Sequence, residues 1–130
     1  MNELRLTVEG GQTAFEPGAA IVVTASWNLD EDQDRVELRL FWYTTGKGDR
    51  DMHVVQTLPI DTPERSDTKR LGIQLPESPY SFSGKLISLI WALELVAEPS
   101  GEASRIELIM APNAREIILD GSERAGGPRA

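Results

Sequence analysis

The chain has 130 residues, an apolar fraction of 40%, a charged fraction of 26% and a formal net charge of -8. That size and composition suit one globular domain with its own core and exclude a chain disordered throughout. With no cysteine there are no disulfides or thiolate metal sites, and the acidic balance disfavours phosphate backbones and anionic lipid, so no nucleic-acid partner is expected.

Taken in chain order, the dominant pattern is period two. The N-terminus, Met1 to Arg5, lacks the basic start and apolar run of a secretory signal. No apolar stretch reaches the length of about 18 residues that a membrane span needs. The expectation is a cytoplasmic protein with no integral membrane segment. Leu4, Leu6 and Val8 alternate with polar residues, then Gly10-Gly11 breaks the run. After Pro17-Gly18, Ile21, Val23, Ala25 and Trp27 alternate again. An acidic turn, Asp30 to Asp34, precedes Val36, Leu38, Leu40 and Trp42. Gly46-Lys47-Gly48-Asp49 reads as a tight hairpin turn, because glycine relieves positive φ. Met52 to Ile60 reads as a further strand, ended by Pro59. Leu71, Ile73 and Leu75 alternate before Pro76 to Pro79, and Ile87, Leu89, Trp91, Leu93 and Leu95 form the longest run. Pro99-Ser100-Gly101 separates it from Ile106, Leu108 and Met110, and Pro112-Asn113 precedes a last short strand at Glu116 to Leu119.

Alternation places one set of side chains in a core and the other outside, whereas residues two apart fall on opposite sides of a helix. Short strands separated by Gly, Pro and Asp turns predict an all-β sandwich or barrel. Residues 1–120 are expected to form a single β-sandwich domain, and 121–130 a flexible C-terminal tail. Two strands carry apolar residues on both faces, Phe41-Trp42-Tyr43 and Ile87 to Leu95 with Ile90 and Ala92. Both are predicted to be central, with partly covered outer faces; an exposed aromatic patch for a partner is the alternative.

Motifs for chemistry are incomplete. Asp30, Asp32 and Asp34 have the opening spacing of a calcium loop. Arg35 then stands where glycine is needed, and Phe41 where a bidentate glutamate is needed. His53 is the only histidine, which leaves no triad and no multi-histidine metal site. The 46–49 turn lacks the spacing of a phosphate loop. Asp49, Asp51 and Asp61 are open to a carboxylate pair with Glu residues elsewhere, against which stands the plain reading of solvated loops, and Ser81 and Ser83 flank Phe82 without the glycines of a nucleophile elbow. No catalytic, cofactor-binding or metal-binding residue is assigned, no cofactor is expected, and the chain is read as no enzyme.

One stretch carries a resemblance. Leu75-Pro76-Glu77-Ser78-Pro79-Tyr80-Ser81-Phe82-Ser83-Gly84-Lys85 leads into the alternating run Leu86 to Trp91. It resembles arrestin-like domains, the group of arrestins, arrestin-like retromer subunits and bacterial sporulation-control proteins. There a strand ends in Leu-Pro, a Pro- and Gly-containing segment follows, and a long strand begins. Phe15-Glu16-Pro17-Gly18 before Ile21 resembles the family's strand entry, and Ile106 to Pro112 its closing strand. The likeness spans about residues 13 to 112. It implies an immunoglobulin-like (arrestin-like) antiparallel β-sandwich with a scaffold role. Gly84 is expected at positive φ, with Tyr80 and Phe82 plugging the end of the sandwich. Arrestins pair two such domains, and neither their charged polar core nor their phosphate-sensing lysines map onto this chain.

The functional expectation is a non-catalytic protein-interaction or scaffold domain for an unknown protein or peptide partner. Arg39, Phe41 and Tyr43 are the candidate partner-binding residues. Alternatives are a self-assembling homodimer that hides Ile90, or a weak calcium- or sugar-binding module using Trp27, Trp42 or Trp91.

Overall fold

The structure, a computed structural model, describes residues 2–46 and 51–119. Among them are ten strands: β1 (Glu3–Val8), β2 (Ala14–Phe15), β3 (Ala20–Asn28), β4 (Arg35–Gly46), β5 (Met52–Asp61), β6 (Ser66–Gln74), β7 (Phe82–Gly84), β8 (Ile87–Glu98), β9 (Ala103–Met110) and β10 (Ile117–Leu119). A single 3-10 turn, Pro112–Ala114, separates the last two.

The strands form two layers. One sheet is antiparallel in the order β1-β3-β6. The larger runs β10-β7-β8-β4-β5, and β9 lies beside Trp91–Val96 of β8. The expected all-β sandwich is therefore present, and β4 and β8 are central as their two-faced patterns predicted. Their long pairing, from Arg35 opposite Glu98 to Gly46 opposite Ile87, has no register shift.

The core follows the alternation. Leu6, Val8, Ile21, Val23, Ala25 and Trp27 from one layer meet Val36, Leu38, Leu40, Trp91, Leu93, Leu95 and Leu108 from the other. Each large apolar side chain removed from water contributes about 1.5–3 kcal/mol. A one-residue slip would turn the whole set to solvent, which is why the register is well specified.

Several local features differ from expectation. β5 continues through Pro59 to Asp61. Among the described residues it is an edge strand paired only with β4, so a proline is tolerated there. β6 starts at Ser66, because Ser66–Arg70 pair with Thr24–Asn28 despite their polarity. Two short pairings are parallel, β2 with β9 and β7 with β10. Gly84 is an extended strand residue and not a positive-φ turn; a Cβ there would crowd the Ile87 carbonyl. Tyr80 is exposed, and the inward residue of the crossing segment is Ser81, with Phe82 partly buried against the core. Lys47, Gly48 and Asp49 of the expected hairpin turn, and the tail 121–130, lie outside the described residues.

The residues behind the resemblance come together in space. The Leu75 N–H donates to the Ala19 carbonyl at 2.8 Å, and the Gly18 N–H to the Pro76 carbonyl at 3.0 Å. The Gln74 amide donates to the Gly18 carbonyl. Further along, the Ser81 N–H donates to the Met110 carbonyl at 2.7 Å, and the Ser81 hydroxyl accepts from the Met110 N–H at 2.9 Å. Residues 75–82 thus cross one end of the sandwich and tie both sheets to it.

Candidate functional site

Alternation along β4 sends Arg39, Phe41 and Tyr43 to the outer face of the larger sheet. The cross-strand partners of these residues on β8 are Glu94, Ala92 and Ile90. On β5 they are Thr57, Val54 and Met52. Arg105 and Glu107 of β9 lie opposite Glu94 and Ala92 on the far side of β8. The outer face is therefore a small grid of charged and aromatic groups, contributed by four strands.

Its polar half is closed on itself. Arg39 Nε donates to Glu37 at 2.5 Å, and its other nitrogens lie 3.7 Å from Glu94 and 3.4 Å from Glu98. The Glu37 hydrogen bond, and then the charges of Glu37, Glu94 and Glu98, raise the Arg39 pKa above the ordinary arginine value, against the opposing pull of burial. Arg105 pairs with Glu94 at 3.4 Å and lies over the Phe41 ring at 5.0 Å from its centroid. The Tyr43 hydroxyl donates to Glu107 at 2.8 Å.

These contacts sort the three candidate residues. Phe41 has no exposed surface, sealed under Arg105 with the Tyr43 ring stacked beside it at 6.0 Å. It holds the patch together and cannot itself touch a partner without displacing Arg105. Arg39 and Tyr43 are half-buried and present their polar ends at the surface. Ile90, the residue considered for self-association, is half-buried beside Tyr43.

Next to this patch lies β5, whose far side has no strand partner among the described residues. Met52, Val54 and Val55 are 54%, 50% and 46% exposed. The register shifts between Leu40 and Phe41, which face Gln56 and Val54, so Val55 bulges out without a cross-strand mate. Sequence reasoning did not single out these residues. The signal was available: between Met52 and Ile60 there is no Asp, Glu, Lys or Arg. What sequence could not show is which side of that strand stays open.

The other candidates are placed as follows. In the 30–34 segment, Asp32 pairs with Arg65 at 3.0 Å, the Asp30 N–H donates to Asn2, and the Gln33 side chain accepts from the Ser100 N–H. Among the described residues no group of three or more His, Asp or Glu side chains is arranged to hold a metal ion. His53 stacks on Trp42, with ring centroids 4.2 Å apart. Trp27 and Trp91 are buried, and their indoles donate to the Glu64 and Pro79 carbonyls at 2.8 Å each. Neither offers a ring face for a sugar. Ser81 is buried with its hydroxyl engaged. A hollow of about 800 Å³ is open and polar, lined by Arg5, Ser26, Asn28, Thr68 and Ser104 among others. Among the described residues no helix is long and apolar enough to cross a membrane.

No family model matches the sequence, and no curated protein matches it. The fold is similar to the crystal structure of Spo0M, a sporulation control protein from Bacillus subtilis, with a TM-score of 0.60 at 14% identity. The match covers 85% of this chain and 49% of that one, so the chain spans about half the length of Spo0M. The likeness shows the fold, an arrestin-like β-sandwich.

Proposed function

We propose that this arrestin-like sandwich is a cytoplasmic, non-catalytic interaction domain, built from residues 1–120, that holds a protein partner along the β4–β5 flank of its larger sheet. The observation that carries the reading is the exposure of Met52, Val54 and Val55 on an open strand beside Arg39 and Tyr43. An open strand offers backbone donors and acceptors, and its neighbours give the contact its specificity. Phe41 and Arg105 make the adjoining surface firm, so little side-chain order has to be gained on binding.

The test is capture of partners from the native cell by the full chain and by three variants. Met52→Arg and Val54→Arg, at exposed positions, alter the flank, while Thr7→Arg alters the outer face of the opposite sheet. The reading expects the same captured protein with wild type and Thr7→Arg, and its loss with both flank variants at unchanged melting temperature. Retention by both flank variants sinks it.

A further inference from the structure

The border strands differ in what they offer. β1 packs against β8 and β9 and carries Glu3 and Arg5. β10 has only three residues. β6 is long, but Asp67 and Lys69 pair across from the buried Trp27 and Ala25 and so lie on the inward side of that edge, where they form an ion pair. Inward charges on an edge resist a further strand. β5 has ten residues, with no Asp, Glu, Lys or Arg from Met52 to Ile60, and its Met52, Val54 and Val55 side chains are in water. The bulge at Val55 and the missing N–H of Pro59 limit its free ladder to roughly Met52–Leu58.

Beyond Leu58 the strand runs into carboxylates. Asp61 ends β5, Glu64 follows, and the Thr62 N–H donates to the Asp34 carbonyl at 3.0 Å, which brings Asp34 alongside. All three carboxylate residues are exposed, and none is in an ion pair among the described residues. On the sheet face, by contrast, Glu37, Glu94 and Glu98 each have an arginine. The edge is therefore apolar at its start and predominantly negative at its end, where Arg35 stands opposite Asp61 but forms its ion pair with Glu37. A second copy of this chain, with a net charge of -8, would be repelled as it approached.

We infer that β5 takes an extended segment of a partner protein as an added antiparallel strand. Apolar side chains of that segment lie against Met52 and Val54, and lysine or arginine at its N-terminal end lies against Asp34, Asp61 and Glu64. Antiparallel pairing is the more stable per residue and places the N-terminus of the added strand at the Asp61 end. The inference rests on the interaction reading and names the occupant of that flank.

The probe is a labelled synthetic decapeptide, two lysines followed by alternating threonine and valine, titrated with the full chain by fluorescence anisotropy. It should bind, more weakly as salt rises, and slow amide exchange over Met52–Leu58. Replacing its lysines by glutamates should weaken binding by roughly tenfold or more. N-methylation of the backbone nitrogens that face β5 should abolish binding. That comparison leaves the protein untouched, so it stands even if Val54→Pro fails to fold. No binding at millimolar peptide, equal binding of the glutamate peptide, or equal binding of the methylated peptide overturns the inference. So does a concentration-dependent dimer in light scattering that Val54→Lys dissolves, which would make the occupant a second copy. If flank variants lose the cellular partner but the peptide ignores β5, only this inference falls and the interaction domain stands.

Discussion

The Trp91 indole N–H donates to the Pro79 carbonyl at 2.8 Å. Trp91 is wholly buried in the middle of β8, and Pro79 lies in the segment that crosses the end of the sandwich. One hydrogen bond thus fastens the crossing segment to the core. Trp91→Phe keeps an aromatic ring but removes the donor and leaves a small void. It should cost about 1–3 kcal/mol from the unpaired carbonyl alone, with a further cavity cost. Urea denaturation measures the loss. Amide exchange should quicken at Ser81, whose N–H bonds to Met110; unchanged exchange there would mean the segment is held by other contacts.

Gly46 and Gly18 should respond differently to alanine. Both have positive φ, +138° and +80°. A Cβ at Gly18 would meet the carboxylate end of Glu77, which can swing away. At Gly46 it would meet the backbone of Leu86 and Ile87 on the paired strand, which cannot. Gly18→Ala is expected to cost about 1–2 kcal/mol from backbone strain. Gly46→Ala should cost roughly 3 kcal/mol or more, because overpacking adds to the strain. Thermal melts of the two variants give the comparison, and equal losses would contradict it.

Tyr43 makes stability depend on alkaline pH. Burial first, then the hydrogen bond and charge of Glu107, hold its phenol above the ordinary tyrosine pKa, partly offset by Arg105. The folded chain therefore binds this proton more tightly than the unfolded chain does. The resulting stability is fully present below the unfolded value of about 10 and is lost as pH rises through the folded value. Tyr43→Phe should remove that alkaline loss, and at neutral pH it should cost about 0.5–1.5 kcal/mol for the missing bond to Glu107. Denaturation curves at neutral and alkaline pH, for both proteins, decide the sign.

His53 shields Trp42, the one tryptophan of the three that is only half-buried. His53→Ala should red-shift the intrinsic fluorescence and open it to a soluble quencher. In a Trp42→Phe background the same change should do nothing, since Trp27 and Trp91 are buried. A shift that persists without Trp42 would place its origin elsewhere.

The sequence by itself determined the strand pattern and the core. Period-two alternation is a local property, and it located the inward faces of β1, β3, β4, β8 and β9 without any knowledge of partners. It also located Arg39 and Tyr43 on an outer face, and the Leu75 to Trp91 stretch whose resemblance implied the fold. It could not reveal β2 and β7, because two or three residues are too short to show a period, although the short run before Leu119 did mark β10. It could not show that Phe41 is sealed, because the cover is Arg105 on β9, brought there only by β8 lying between. Nor could it show that Pro59 interrupts nothing. Whether a strand is an edge depends on which distant segments pair, and that is settled only when the whole chain is folded. The open flank of β5, with Met52, Val54 and Val55 in water, is therefore the part of the candidate site that the tertiary structure alone decided.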